Sequence, residues 1–413
     1  MLQPPGTAQG AAYLTCFVCI RPLAITALIA GLGYHTPMNI IPYIIATLIP
    51  LVVLYVVYSL DLYQMGTFKN VLGAFIWGIA AFFLAGQLNG YLYLSGTFSR
   101  SEIVRYAAPV GEEVIKALIL IYLVRRPNFT YFVDGAIYGF AVGMGFAIFE
   151  NYEYIGASTV GIGTAITRVI SVNLIHASAT ALVGIYLGKS RFSRVWGQVG
   201  YTVGGLLLAI ILHGLFNNIT DREIPGPILV YSAVIGIAAT GIIAFIIFRG
   251  LAEQRQWIEE KLGMSDRVTG SEARVVHKLA DLGEILEPLR KQFGDAKVGE
   301  VEEFLLLQAR LGIKRKTLDK LPDEKMRAAV ETEIADIREK MEEKRRRAGS
   351  YVMLAVRNIF PGDGSPLWGM LQNSIQQSIE QRKAEGGPKF DLFTNLDQRM
   401  AANKSQSESS GDQ

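Results

Sequence analysis

Apolar residues run in long blocks through the first 250 positions of the chain, and in helical stripes through the rest. A bilayer core about 30 Å thick takes roughly 20 apolar residues at about 1.5 Å rise each. Seven blocks meet that length, at about 38–60, 70–93, 103–124, 131–155, 162–188, 197–219 and 227–248. An eighth, at about 11–33, is interrupted by Arg21-Pro22, and without a basic leader it reads as a span rather than a signal peptide. Beyond residue 250 the apolar positions recur at helical spacing from Val275 through Leu289 and from Phe304 through Ile313. The run Arg338 to Arg347 reads as a solvated helix face. The segment from Pro361 to Pro366 breaks the chain before another helix at Leu367–Lys383, and the Ser/Gln-rich end, 401–413, reads as disordered. The pattern predicts an all-α fold: a polytopic bundle of about eight spans over 1–250, then a mostly helical soluble region over 251–400.

Composition sharpens that division. The 413 residues are 50% hydrophobic and 19% charged, with a mean hydropathy of +0.28. Residues 1–250 hold 13 Lys/Arg and 9 Asp/Glu, and residues 251–413 hold 27 and 28. The first part is too apolar for water and the second too charged for lipid. With only Cys16 and Cys19, a disulfide-stapled secreted fold is excluded, and the pair reads as apolar filler. A net charge of +3 leaves no basic excess for a nucleic-acid partner. Positive charge collects after the fourth span (Arg125, Arg126), the sixth (Lys189, Arg191, Arg194) and the eighth (Arg249). By the positive-inside rule both termini are cytoplasmic, and the chain is expected in the cell membrane.

The informative residues lie inside the spans. Glu112, Glu113 and Lys116 sit in the fourth, Asp134, Glu150, Asn151 and Glu153 in the fifth, Arg168, Asn173 and His176 in the sixth, and His213 and Asn217 in the seventh. An ionised group at a helix centre costs about 2.5–3.5 kcal/mol on insertion scales, so these groups must face one another or water. Glu112 and Lys116 are four apart and pair along a helix, while Asn173, His176 and Thr180 share a face, as do His213 and Asn217. Measured at about 1.5 Å per residue from the outer boundary, Glu112 and Glu113 lie roughly 14 Å deep, Glu150 and His213 roughly 8–9 Å, and His176 roughly 21 Å. On this count His176 is out of step with the rest.

Carboxylates and imidazoles around a wet pocket suit metal binding, water activation or proton relay. There is no HExxH, no Gly-x-Ser-x-Gly and no Gly-Asp pair of the aspartyl intramembrane type. Four blocks instead resemble the PrsW-type intramembrane proteases, within the wider clan that includes the CAAX prenyl endopeptidases. They are Gly111 to Lys116; Asp134 to Gly139 running on to Gly145 through Asn151; Arg168 through His176 to Phe192; and Leu212-His213-Gly214. The resemblance implies a helical membrane protease, with its catalytic core at about 103–219, whose active centre is Glu112, Glu113, Glu150, His176 and His213. Asn217 departs from the acid often found there in PrsW-like sequences. It matches the His-x-x-x-Asn pattern of the CAAX branch, which suits an oxyanion donor.

The expectation is therefore an intramembrane endopeptidase. Glu113 or Glu112 serves as general base, helped by Glu150, with Asn217 in the catalytic set and Lys116, Arg168 and Asn151 in support. His176, His213 and Glu150 are the expected ligands if the cofactor is Zn²⁺; glutamate-activated water without metal is the alternative. The expected partners are the bilayer, a membrane-anchored protein substrate cut near the outer face, and a cytoplasmic protein for the tail. Two other functions fit the same residues: a proton-coupled transporter using the carboxylates as a relay, and a non-catalytic membrane scaffold presenting the tail.

Overall fold

The computed structural model describes residues 39–61, 63, 65, 67–158, 161–221, 227–261 and 282–359. The expected span at 11–33, with Cys16 and Cys19, lies outside the described residues. So do the segment before Leu282 that contains Val275, and everything expected beyond residue 359. No strand occurs among the described residues, so the all-α expectation holds.

The first helices are α1 (Ile41–Ser59), α2 (Phe68–Leu94), α3 (Ala108–Leu123) and α4 (Phe132–Ala157). They are followed by α5 (Gly161–Ile170), α6 (Val172–Ser190), α7 (Val195–Thr220) and α8 (Pro227–Lys261). Counting α5 and α6 as one crossing, six stretches among the described residues are long and apolar enough to span a membrane. The expected fourth span is the different one. Its regular part, α3, is only 16 residues long and carries Glu112, Glu113 and Lys116. A turn capped by Ser99 and Glu102 and a π-helical stretch, Ile103–Ala107, extend it toward the loop.

That π-helical stretch has a local cause. Pro109 has no N–H to give to the carbonyl four residues back, at Arg105. The freed carbonyls find donors on α7 instead: Asn217 Nδ2 donates to Val104 O at 2.9 Å, and Asn218 Nδ2 to Arg105 O at 3.3 Å.

α4 is the axis of the bundle, and almost all of it is buried. Glycine makes this close packing feasible. A Cβ on Gly135, Gly139 or Gly143 would lie 2.1–2.3 Å from the carbonyl oxygens of Gly184, Thr180 and His176 on α6. On the other face, one on Gly145 would lie 2.2 Å from Phe75 O of α2. Small residues every fourth position let backbones touch where lipid supplies no hydrophobic drive. The result fixes the depth of α4 against α6, and therefore of Glu150 against His176.

The tail folds as α9 (Leu282–Phe293), α10 (Asp295–Lys320), α11 (Glu324–Ala348) and α12 (Ser350–Ile359). The expected helical stripe at 304–313 is the buried core of α10, and 338–347 lies on α11 with its charges paired at the surface. α10 packs against the loops at one end of the bundle. Arg310 Nε donates to Tyr63 O at 3.1 Å, Lys314 Nζ to Pro127 O at 2.7 Å, and Lys320 lies 4.1 Å over the Trp257 ring of α8.

Lys314 is nearly enclosed, with Glu333 of α11 at 2.6 Å. Burial pushes its ammonium below the usual lysine range, and the charge of Glu333 only partly offsets this. The folded state therefore binds this proton less readily than the unfolded one, and its contribution to stability rises as pH climbs toward the ordinary lysine value. Glu333→Leu leaves the cation buried without its partner and is expected to cost about 1–3 kcal/mol. Adding Lys314→Met should recover most of that loss, because an apolar pair has no charge to desolvate. Thermal unfolding in detergent, followed by tryptophan emission, measures both.

Candidate active site

Four neighbouring helices bring their charges together in one cluster. Glu113 of α3 is fully buried and has every carboxylate oxygen engaged. Its Oε1 accepts from Lys116 Nζ at 2.9 Å and from His213 Nδ1 at 3.0 Å, and its Oε2 accepts from Thr180 Oγ1 of α6 at 3.1 Å. A carboxylate only accepts here, so in the neutral His213 ring the proton sits on Nδ1 and the Nε2 lone pair is free.

Glu112, one residue earlier on α3, has a different environment. Its Oε1 takes a long bond from Asn89 Nδ2 of α2 at 3.5 Å, and its buried Oε2 has no hydrogen-bond partner among the described residues. That free oxygen lies 3.8 Å from His213 Nε2 and 3.7 Å from Lys116 Nζ. Two open acceptors therefore face each other beside an ammonium.

His176 of α6 is held at both nitrogens. Lys116 Nζ is 2.9 Å from Nδ1, and Glu150 Oε2 of α4 is 2.9 Å from Nε2. An ammonium has only protons to give, so Nδ1 accepts and the Nε2 proton is donated to Glu150. The His176 and His213 rings stand nearly perpendicular, with centroids 4.6 Å apart. Lys116 itself is fully buried over the Phe146 ring, 3.8 Å from its centroid.

Arg168 fixes Glu150 from the other side. Its Nη2 is 2.8 Å from Glu150 Oε2, and its Nε donates to Asn151 Oδ1 at 2.8 Å. Asn151 Nδ2 in turn donates to Asn173 Oδ1 at 2.6 Å, and the guanidinium lies 3.8 Å over the Tyr154 ring. This geometry depends on the break at Ser171 between α5 and α6, where Ser171 Oγ donates to Thr167 O at 2.6 Å. His176 meets Lys116 and Glu150 here although the residue count along its span put it out of step with them.

The expected residues Glu112, Glu113, Glu150, His176, His213, Lys116, Arg168 and Asn151 thus meet in one connected network. Asn217 does not join it, since its amide is spent on Val104 O one turn beyond His213. Three contributors went unassigned in the sequence: Asn89, Thr180 and Phe146. Asn89 left a signal as a polar residue inside an apolar block, and Thr180 shares the face of His176; Phe146 had only its place four residues before Glu150.

As for a metal, the ligating atoms of Glu112, His176 and His213 lie within 4.8 Å of one another, so Glu112 rather than Glu150 completes the group. Two histidines and a carboxylate are the donor types of three-ligand catalytic zinc sites. Glu113 behind His213 matches the carboxylate that orients a metal-bound imidazole in such sites. Free lone pairs on Glu112 Oε2 and His213 Nε2 complete the fit; His176 offers one only when a neighbour lets go.

Residues 66–251 match the family described as PrsW family intramembrane metalloprotease. Protease PrsW of Geobacillus kaustophilus (strain HTA426) is 28% identical over 162 residues, which are 39% of this chain and 71% of that protein. Protease PrsW of Bacillus subtilis (strain 168) is 29% identical over 164 residues, 39% of this chain and 74% of that protein. Protease PrsW of Clostridioides difficile (strain 630) is 29% identical over 161 residues, 37% of this chain and 66% of that protein. No solved structure matches the chain.

Proposed function

We propose that this chain, whose residues 66–251 match the PrsW family of intramembrane metalloproteases, hydrolyses membrane-anchored proteins with Glu112 as the base that activates water. The observation that carries this reading is the free Glu112 Oε2 facing the free His213 Nε2 at 3.8 Å. A water molecule has two protons to donate, and here two acceptors face the same space. Glu112 takes one proton as the water oxygen attacks the scissile carbonyl. The resulting oxyanion lies within reach of Lys116, the nearest fixed cation. As the C–N bond breaks, Glu112 returns its proton to the leaving amine.

Glu113 does not touch water in this scheme. It holds His213 and Lys116 in place, as its three bonds require. A Zn²⁺ ion, when bound, would be held by Glu112 and His213, with His176 as a third ligand once a neighbour lets go, and would supply charge to polarise the carbonyl.

The substrate helix must unwind locally, since a helical peptide bond has its backbone groups engaged and shielded. The loop charges support a reading with both termini in the cytoplasm and the site in the outer half of the cell membrane. We therefore place the cut near the external face. The test is reconstitution with a single-span Leu/Ala helix carrying a Gly-Pro break near its outer end. Two products from the wild type and none from Glu112→Gln support the reading. Flux driven by a pH gradient, with no cleaved product, would replace it with the transporter.

Arg168 acts through Glu150 and His176, so it is a positioning residue. Arg168→Met should lower kcat about 10- to 100-fold with little change in KM, and Arg168→Lys should restore part of the loss. An effect confined to KM would assign Arg168 to substrate binding instead.

A further inference from the structure

We propose that Lys116 keeps His176 out of a metal's reach, so that a divalent cation is held in this chain by Glu112 and His213 and gains His176 only when the ammonium withdraws. The proposal rests on the metal-binding reading of the site, and its test is independent of cleavage.

Three observations carry it. Lys116 Nζ lies 2.9 Å from His176 Nδ1 and 3.7 Å from Glu112 Oε2, so a fixed positive charge stands among the three ligand residues. His176 Nε2 is also taken, by Glu150, which Arg168 holds in turn. Neither nitrogen of His176 therefore has a free lone pair, whereas His213 Nε2 and Glu112 Oε2 each do. Of the two locks, Lys116 is the one that opposes a metal directly, because an ammonium repels a divalent cation and Glu150 attracts one.

Lys116 is itself restrained. It is fully buried, bonded to Glu113 at 2.9 Å, and seated over the Phe146 ring. Moving it breaks a buried ion pair, so the two-ligand state is the resting one. Two protein ligands make a weaker site than the three usual in catalytic zinc centres.

The test is titration of the detergent-purified full chain with Co²⁺, followed by its visible absorption. Removing the charge with Lys116→Met should tighten Co²⁺ binding roughly 10- to 100-fold, the scale on which neighbours of metal ligands act. Unchanged or weaker binding would overturn the proposal. Because Lys116→Met strips Glu113 of its partner and risks unfolding the chain, a second comparison needs no change at Lys116. His176→Gln should alter the Co²⁺ affinity of the otherwise wild-type chain by less than about threefold, and His213→Gln should abolish binding. Equal losses from the two histidine variants would show that His176 is already a ligand and refute the idea. Where Lys116→Met folds, His176→Gln added to it should cost at least tenfold, a coupling that a double-mutant cycle isolates.

Discussion

Cleavage by Glu112→Gln is expected to fall about 10²- to 10⁴-fold, the usual contribution of a positioned base, while stability moves by less than about 1 kcal/mol. The reason is the asymmetry between two adjacent carboxylates. Oε2 of Glu112 has no hydrogen bond to lose, and Oε1 keeps its contact with Asn89 when the acid becomes an amide. Glu113→Gln should also stop cleavage, but by another route. It takes the charge from between Lys116 and His213 and leaves a fully buried ammonium with only the longer 3.7 Å contact to Glu112, at a cost of about 3 kcal/mol. Measuring kcat/KM beside the melting temperature of each variant separates the two roles. If Glu113→Gln melts like wild type and Glu112→Gln does not, the assignments must be exchanged.

Gly143→Val should be the most damaging apolar change in the bundle. A Cβ there would lie 2.3 Å from the carbonyl oxygen of His176 and 2.5 Å from Ala177 Cα, and neither is a flexible side-chain end. Helix α4 must then separate from α6, at an expected cost of about 3 kcal/mol or more. His176 hangs from the displaced backbone, so cleavage should be lost together with stability. Gly86→Ala on α2 is the control. Nothing lies within 4 Å of its Cβ, and the added methyl should stabilise the helix by about 0.5–1 kcal/mol. Comparable melting of the two variants would mean that α4 and α6 are not locked by this contact.

Much of this site was legible in the sequence because the membrane makes charge conspicuous. Glu112, Lys116, Glu150, His176 and His213 stand out against apolar spans, and helical spacing puts each on a face with a polar companion. The division of labour between Glu112 and Glu113 was not legible. It depends on Asn89, Thr180 and His213, which come from three other helices. Asn217 has the right spacing from His213 for a catalytic amide, yet Pro109, more than 100 residues away in sequence, creates the free carbonyls that engage this helix end. The meeting of His176 with Glu150 and Lys116 ran against the residue count, and the break at Ser171 beside it carries neither proline nor glycine to announce it. In the tail, helical periodicity was readable, but Lys314 looked like any solvated lysine. Only the fold places it against Pro127 and Glu333.

Helix α8 runs for 35 residues, about 52 Å, so it outlasts a bilayer core by some 20 Å. Its projecting end offers Glu253, Trp257, Glu260 and Lys261 to α10. One residue inserted into a helix turns everything after it by about 100° and advances it about 1.5 Å. An insertion anywhere between Gly236, tight against Ser171, and Glu253 would thus swing this end away from α10, while Tyr63 and Pro127 stayed where they are. The angular phase of one long helix therefore joins two halves of the molecule, and its length tolerates substitution more readily than insertion or deletion.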